Sequence, residues 1–304
     1  MVATSRDTRR QAGPMQEFDA SSDAPFGRTG EGRDDYRGAN LQSAKLENAL
    51  IERADFSRTN FQHLRATSCR FVDCVFDHAN LADANFRTCE FIECRFRKTD
   101  LRMAGLGVGG GLFDRCTFDG IRKRYMSFIN PVFRGVTFRG KDWSHLDFSA
   151  SGLWDCAFVG DVRDIMFRGD FLVTEFMHEV NGPPRDTGLH GVNFADAELF
   201  LLGFTHNCAL DDIVLPKSGT AFLCKSKDLY ASEPWLKTIT RGDILMGLQG
   251  YIKMVRDYDS GSTQPRWIVS KHDIVTWTEH EQEGARLYDL LKERLVLRKA
   301  ADAD

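Results

Sequence analysis

No run of apolar residues in this 304-residue chain is long enough for a signal peptide or a membrane span. That absence points to a soluble, cytoplasmic protein without membrane contact. Charge has no dominant sign either. The net charge is −4, and between Tyr36 and Asp170 20 Lys/Arg stand against 17 Asp/Glu, so the acidity lies outside that stretch. A strongly acidic body would suggest mimicry of a nucleic-acid backbone and a strongly basic one would suggest binding to it. Neither extreme is met, and no direct nucleic-acid binding is expected. The eight cysteines include no C-x-x-C pair and the histidines do not cluster, which removes the usual metal-ligand spacings. Catalytic signals are equally thin. Gly105 to Gly110 satisfies G-x-G-x-x-G in form, but a dinucleotide site needs a helix to begin there, and a strand-like repeat follows. His178-Glu179 and His190 have no nucleophile beside them, and Asp211-Asp212 reads as a turn. Neither an enzyme nor a cofactor is expected.

What the chain does contain is a period of five. From Leu41 to Leu106, every fifth residue is Leu, Ile or Phe, Ala66 alone excepted. Two residues earlier stands a small one, such as Ala39, Ala44, Cys74 or Ala79. A helix needs a period of about 3.6 and a strand one of 2, so the pattern fits neither. It fits an array of repeats, each too small to bury its own apolar face. If each pentad forms one side of a four-sided coil, a turn takes about 20 residues, and each residue stacks on its counterpart one strand spacing away. The core then holds the columns Phe56/Phe76/Phe96 and Phe71/Phe91, with Leu81 and Phe86 on the other two sides. At Ala66 the large side chain is missing and Leu64 takes the small position, a swap of volume that a close-packed interior requires. Six cysteines (Cys69, Cys74, Cys89, Cys94, Cys116 and Cys156) occupy the small inward positions and read as buried, reduced thiols.

Runs such as Gly38-Ala39-Asn40-Leu41-Gln42, His78-Ala79-Asn80-Leu81-Ala82 and Asp83-Ala84-Asn85-Phe86-Arg87 resemble the A-(D/N)-L-x-x consensus of the pentapeptide-repeat family. The resemblance implies a right-handed quadrilateral β-helix, an all-β solenoid, over residues 36–215. It also implies a candidate role. Several members act on DNA gyrase or topoisomerase IV, mimic duplex DNA and protect against topoisomerase poisons, giving antibiotic resistance or self-immunity.

The register slips at three places where loops are expected. Gly107 to Gly111 adds two residues. Residues 120–126 place Lys123 on the axis, where a lone ammonium does not belong, so the chain there is expected to bow outward. Residues 177–189 contain Asn181-Gly182-Pro183-Pro184 and read as an exposed loop, with Phe176 before it rejoining the array. The array ends near Ile213-Val214-Leu215-Pro216.

Residues 1–35, polar and charged, read as disordered, with Phe18 and Phe26 as the only anchors. Residues 216–304 form an α-rich C-terminal module. It contains an amphipathic helix on Ile244, Leu248, Ile252 and Val255, a strand at Trp267-Ile268-Val269, and a last helix carrying Tyr288, Leu291 and Leu295. Thr278 and Glu281 have the spacing of a capping box for that helix. The module is expected to cap the open end of the array, or to make a homodimer.

Function therefore falls to binding. The expected protein is a non-catalytic scaffold that presents rigid columns of side chains to an unidentified protein partner, with a type II topoisomerase as the candidate implied by the resemblance. The residues expected to meet that partner are Arg122, Lys123, Arg124 and Tyr125, with Trp143 one coil later, since Arg and aromatic groups most often anchor interfaces.

Overall fold

A computed structural model describes residues 27–171, 174–259 and 264–296. The chain divides into two units, Met1–Phe138 and Arg139–Asp304. Residues 1–26, with Phe18 and Phe26, lie outside the described residues.

In the first unit the period of five becomes a coil because the backbone turns at every fifth residue. Ser43, Asn48, Arg53, Arg58, His63 and their successors have φ between 50 and 63°. This left-handed conformation costs an L-residue roughly 1–2 kcal/mol. Between corners lie three-residue strands with a buried centre and exposed or half-buried flanks, such as Lys45–Glu47, Leu50–Glu52, Arg65–Thr67 and Arg70–Val72. Lys45 pairs in parallel with Arg65 and Arg65 with Asn85, so successive coils are 20 residues apart. A second ladder runs through Leu50, Arg70, Glu90, Leu112 and Val132. The two glycine-borne residues lengthen one coil, and Phe96 stacks on Phe118 rather than on residue 116. Gly107 has φ +79°, and a Cβ there would stand 2.6 Å from Pro131, so this insertion requires glycine.

Inside, Phe56, Phe76, Phe96, Phe71, Phe91, Leu81 and Phe86 are all buried, as are Leu64 and Ala66. Phe76 lies parallel between Phe56 and Phe96, with centroid separations of 5.4 and 4.9 Å. Phe71, Phe91 and Phe113 stack at 4.9 Å per step. Burying one such ring contributes about 2–3 kcal/mol, enough to offset the corner beside it. All eight cysteines are buried thiols outside any disulfide.

Two expectations change here. Residues 27–35 are not a loose tail. Asp34–Asp35 pairs in parallel with Ala54–Asp55, and the Arg33 guanidinium donates to the Asp73 carboxylate at 2.6 Å. A first coil adds its edge to the next because unpaired ladder groups are costly to leave. Nor does the chain bow outward at 120–126. The Arg122 amide donates to Thr99 (2.9 Å), and the Arg122 and Arg124 carbonyls accept from Leu101 (2.8 Å) and Met103 (3.0 Å). Lys123 keeps its place in the column, half-buried. A lysine stem can lie against apolar neighbours while its ammonium reaches water, so the ladder need not break.

The second unit uses longer strands: Thr137–Ser149, Ala157–Arg168 and Asn193–Thr205, parallel neighbours in that order. Phe148, Phe167 and Phe204 stack at 5.1 and 5.7 Å. Helix α1, Thr174–Asn181, occupies the start of the segment expected to be a loop, and Phe176 is exposed on it instead of rejoining the core. Trp143 is buried, so the expectation that it meets a partner is wrong; it fills the apolar axis like the rings around it.

The C-terminal module comprises α2 (Ser226–Ala231), α3 (Glu233–Ile239), α4 (Gly242–Asp259), α5 (Lys271–Thr278) and α6 (Glu281–Leu295), with an antiparallel pair of strands, Ala221–Lys225 and Arg266–Ser270. It covers the last coil with hydrogen bonds to groups that an edge strand leaves open. Ser270 Oγ donates to Leu199 O at 2.6 Å, the Leu201 amide to Asp273 Oδ1 at 2.7 Å, and Gln264 and Arg266 to the Cys208 and Leu210 carbonyls at 2.9 Å. Trp267 meets Phe204 edge-on at 5.3 Å. Leu248, Leu291 and Leu295 are buried inside the unit, whereas Met246 and Tyr258 of α4 are exposed. The capping box does not form. Thr278 is the last residue of α5 and its hydroxyl donates to Ile274 O, while α6 starts after His280 without a side-chain cap.

Replacing Phe76 by Ala should cost about 3–5 kcal/mol in urea melts by opening a cavity between two rings. Asp77 accepts from the Arg95 side chain (3.1 and 3.0 Å) and the Arg97 amide, so Asp77→Ala is expected to cost about 1 kcal/mol. Burial pushes the Asp273 carboxyl up to about 7, against the hydrogen bonds from the Leu201 and Ser270 backbone. A raised value means that the folded chain holds this proton more tightly than the unfolded one. The resulting stability is full below about pH 4 and is lost as pH rises through about 7. The urea midpoint of the wild type should therefore fall relative to Asp273→Asn between about pH 5 and pH 8.

Candidate protein-interaction surface

On one side of the first unit, the residue before each central position forms a column of Asn40, Asn60, Asn80, Asp100 and Arg122, linked by parallel bridges. Its first three members make an amide ladder, with Asn60 Nδ2 donating to Asn40 Oδ1 and Asn80 Nδ2 to Asn60 Oδ1, both at 3.0 Å. The ladder changes character at Asp100. Arg102 grips its carboxylate with two nitrogens at 2.8 and 2.7 Å, and Arg122 Nη1 stands 3.4 Å from Oδ2. Burial would raise the Asp100 carboxyl, but the hydrogen bonds from Arg102 and the charges of Arg102 and Arg122 outweigh it and hold it below its ordinary value.

Beyond these pairs the coil turns a corner at Met103 and, one coil later, at Tyr125, with φ of 59 and 60°. The corner geometry aims both side chains at solvent: Met103 is 59% and Tyr125 72% exposed. Arg124 lies over the Tyr125 ring, its Cζ 4.9 Å from the centroid, and its Nη2 donates to Tyr125 Oη at 3.1 Å. Arg124 has no carboxylate partner among the described residues. The result is a small apolar pair rimmed by three guanidinium groups, two of which share Asp100, with Asp83 at the preceding corner acting on Arg102 as well.

Of the residues expected to meet a partner, Arg122, Lys123, Arg124 and Tyr125 lie together here, and Trp143 does not. Sequence reasoning missed Met103 and Arg102. They could have been found by stepping back 22 residues from Tyr125 and Arg124, once the two extra residues at 107–111 are counted. Gly105–Val108 is a strand, so no helix presents amides to a phosphate. His178 Nε2 and Asp170 Oδ1 are 2.8 Å apart, holding α1 to its coil. His190 stacks on Trp154 at 3.9 Å and pairs with Asp211 at 3.3 Å, so Asp211 serves a coil-to-coil contact. Among the described residues no group of three or more His, Cys, Asp or Glu is placed to hold a metal ion. No described helix is long and apolar enough to cross a membrane.

Residues 37–71 and 69–104 match the family model described as pentapeptide repeats, in 8 copies. These coils are pentapeptide repeats. Among solved structures, full-length QnrB1, described as a plasmid-mediated fluoroquinolone resistance protein, shares 17% identity over 60% of this chain and 91% of its own, with a TM-score of 0.22. HetL, a pentapeptide-repeat protein involved in heterocyst differentiation regulation in the cyanobacterium Nostoc sp. strain PCC 7120, shares 16% identity over 61% of this chain and 89% of its own, with a TM-score of 0.22. At these values neither likeness carries an argument about what this chain binds. No curated protein matches the chain.

Because Tyr125 and Arg124 point away from the pentapeptide-repeat core, Tyr125→Ala and Arg124→Ala should each leave the urea midpoint within about 0.5 kcal/mol of wild type. A larger loss would mean that the corner serves the fold rather than a partner.

Proposed function

We propose that this chain is a non-catalytic pentapeptide-repeat scaffold that binds a protein partner through the corner formed by Arg102, Met103, Arg122, Lys123, Arg124 and Tyr125. The observation that supports it is the pairing of exposed apolar side chains with a guanidinium that has no carboxylate partner among the described residues, on a backbone fixed by ladder hydrogen bonds. Surface this rigid loses little entropy on binding, and Tyr, Met and Arg are the types enriched at interface centres. A nucleic-acid backbone suits the corner less well, since two of its three arginines share Asp100 and a phosphate track needs a run of uncommitted cations. Buried cysteines that form no disulfide support a reducing, cytoplasmic setting.

The test is capture of partners from a lysate of the source organism with wild type and with the Arg122/Lys123/Arg124→Ala triple variant. At least one protein should be retained by wild type and lost with the variant; identical partner sets from both would overturn the reading. A second reading is modulation of DNA gyrase or topoisomerase IV by mimicry of duplex DNA. It is favoured by the acidity of residues 139–304, which hold 26 Asp/Glu against 19 Lys/Arg. Under that reading the protein changes gyrase supercoiling in vitro, and the effect survives the triple variant.

A further inference from the structure

Among the described residues, eight large apolar side chains are exposed: Leu50, Met103, Tyr125, Phe176, Val180, Val214, Met246 and Tyr258. Two pairs among them are close neighbours. Met103 and Tyr125 occupy one corner in successive coils, and Phe176 and Val180 lie one turn apart on α1, 61% and 40% exposed. The second pair is held as firmly as the first. His178 anchors α1 to Asp170 at 2.8 Å, its ring meets Phe171 edge-on at 5.6 Å, and Asn181 is buried. The charges beside the two pairs are opposite. Cations outnumber carboxylates at the corner: Arg102, Arg122, Lys123 and Arg124 stand against Asp100 and Asp83, which leaves the rim positive. Glu175 and Glu179 flank Phe176 and Val180, both exposed and neither in an ion pair among the described residues.

We infer that these two patches are the two halves of one contact between copies of this chain. Phe176 and Val180 of one protomer pack on Met103 and Tyr125 of another, and Glu175 and Glu179 meet the arginine rim. This identifies the protein partner of the corner as a second copy of the chain, and so rests on the reading that the corner binds protein. The apolar pairs remove each other from water. The matched charges set which patch meets which, because like patches repel when two corners or two α1 helices approach. The contact joins unlike surfaces, so it closes a pair if both copies use it reciprocally and otherwise continues as a chain. One such contact is small, and an affinity of about 10 μM is the order to expect.

Analytical ultracentrifugation of the full chain reads this directly. Wild type should associate with rising concentration, and the apparent dissociation constant should rise about ten-fold between low and high salt, as exposed ion pairs are screened. Arg122→Glu/Arg124→Glu and Glu175→Arg/Glu179→Arg should each be monomeric alone. An equimolar mixture of the two variants should associate, since the first keeps α1 and the second keeps the corner. Transplanting the charges within one chain, by combining all four reversals, should restore it. Phe176→Ala and Tyr125→Ala keep every charge and should weaken association about ten-fold, so a charge-reversed variant that fails to fold leaves the contact testable. A wild type that stays monomeric to about 100 μM overturns the self-pairing, as does association that none of these substitutions changes, or a four-fold reversal that stays monomeric. None of these results touches the broader reading of the corner, which fails only if the triple variant captures the same partners as wild type.

Discussion

The left-handed corner residue is the constraint on which the first unit depends. It recurs every fifth position with φ near +55°, ends each three-residue strand, and sends the chain round to stack 20 residues later on its own backbone. Each corner is unfavourable by itself, by roughly 1–2 kcal/mol, and each ring delivered to the axis returns only slightly more. One coil alone has no margin. The margin comes from stacking, where a ring such as Phe76 is covered on both faces and ladder amides find carbonyls in the coils on either side. Stability of this kind belongs to the array and not to any repeat within it.

The same repetition arranges the outside. Residues that would be scattered on an ordinary surface stand in columns one strand spacing apart, so a change at one step is felt by the next. Asn40, Asn60 and Asn80 satisfy one another, and the column becomes ionic where Asp100 takes the place of an asparagine. Asp100 then draws in Arg102 and Arg122, which leaves Arg124 to settle on Tyr125. An exposed apolar corner with a charged rim follows from one acidic residue in a polar ladder.

The second unit spends its residues differently. Strands of 12 and 13 residues replace the short sides, and the last of them offers an edge that the C-terminal module takes up with Ser270, Asp273, Gln264 and Arg266. Burying Asp273 to hold the Leu201 and Ser270 backbone is costly when the carboxyl is ionised, which makes this junction sensitive to pH.

The period of five, the columns Phe56/Phe76/Phe96 and Phe71/Phe91, the exchange of Leu64 for Ala66 and the buried thiols were all determined by the sequence alone, because a five-residue spacing of large and small side chains admits few packings. The helix on Leu248, Ile252 and Val255 and the strand at Trp267 were legible for the same reason, through their own periods. Tertiary structure decided the rest. Lys123 stays in its column because ladder hydrogen bonds outweigh one awkward side chain, and Trp143 is buried because its position faces the axis, which composition does not reveal. Thr278 closes one helix instead of capping the next, since a local spacing cannot say where a neighbouring helix ends. Met103 joined Tyr125 only when the coil length of 22 across the glycine insertion was fixed, and that length is a property of the folded backbone, not of any residue in it.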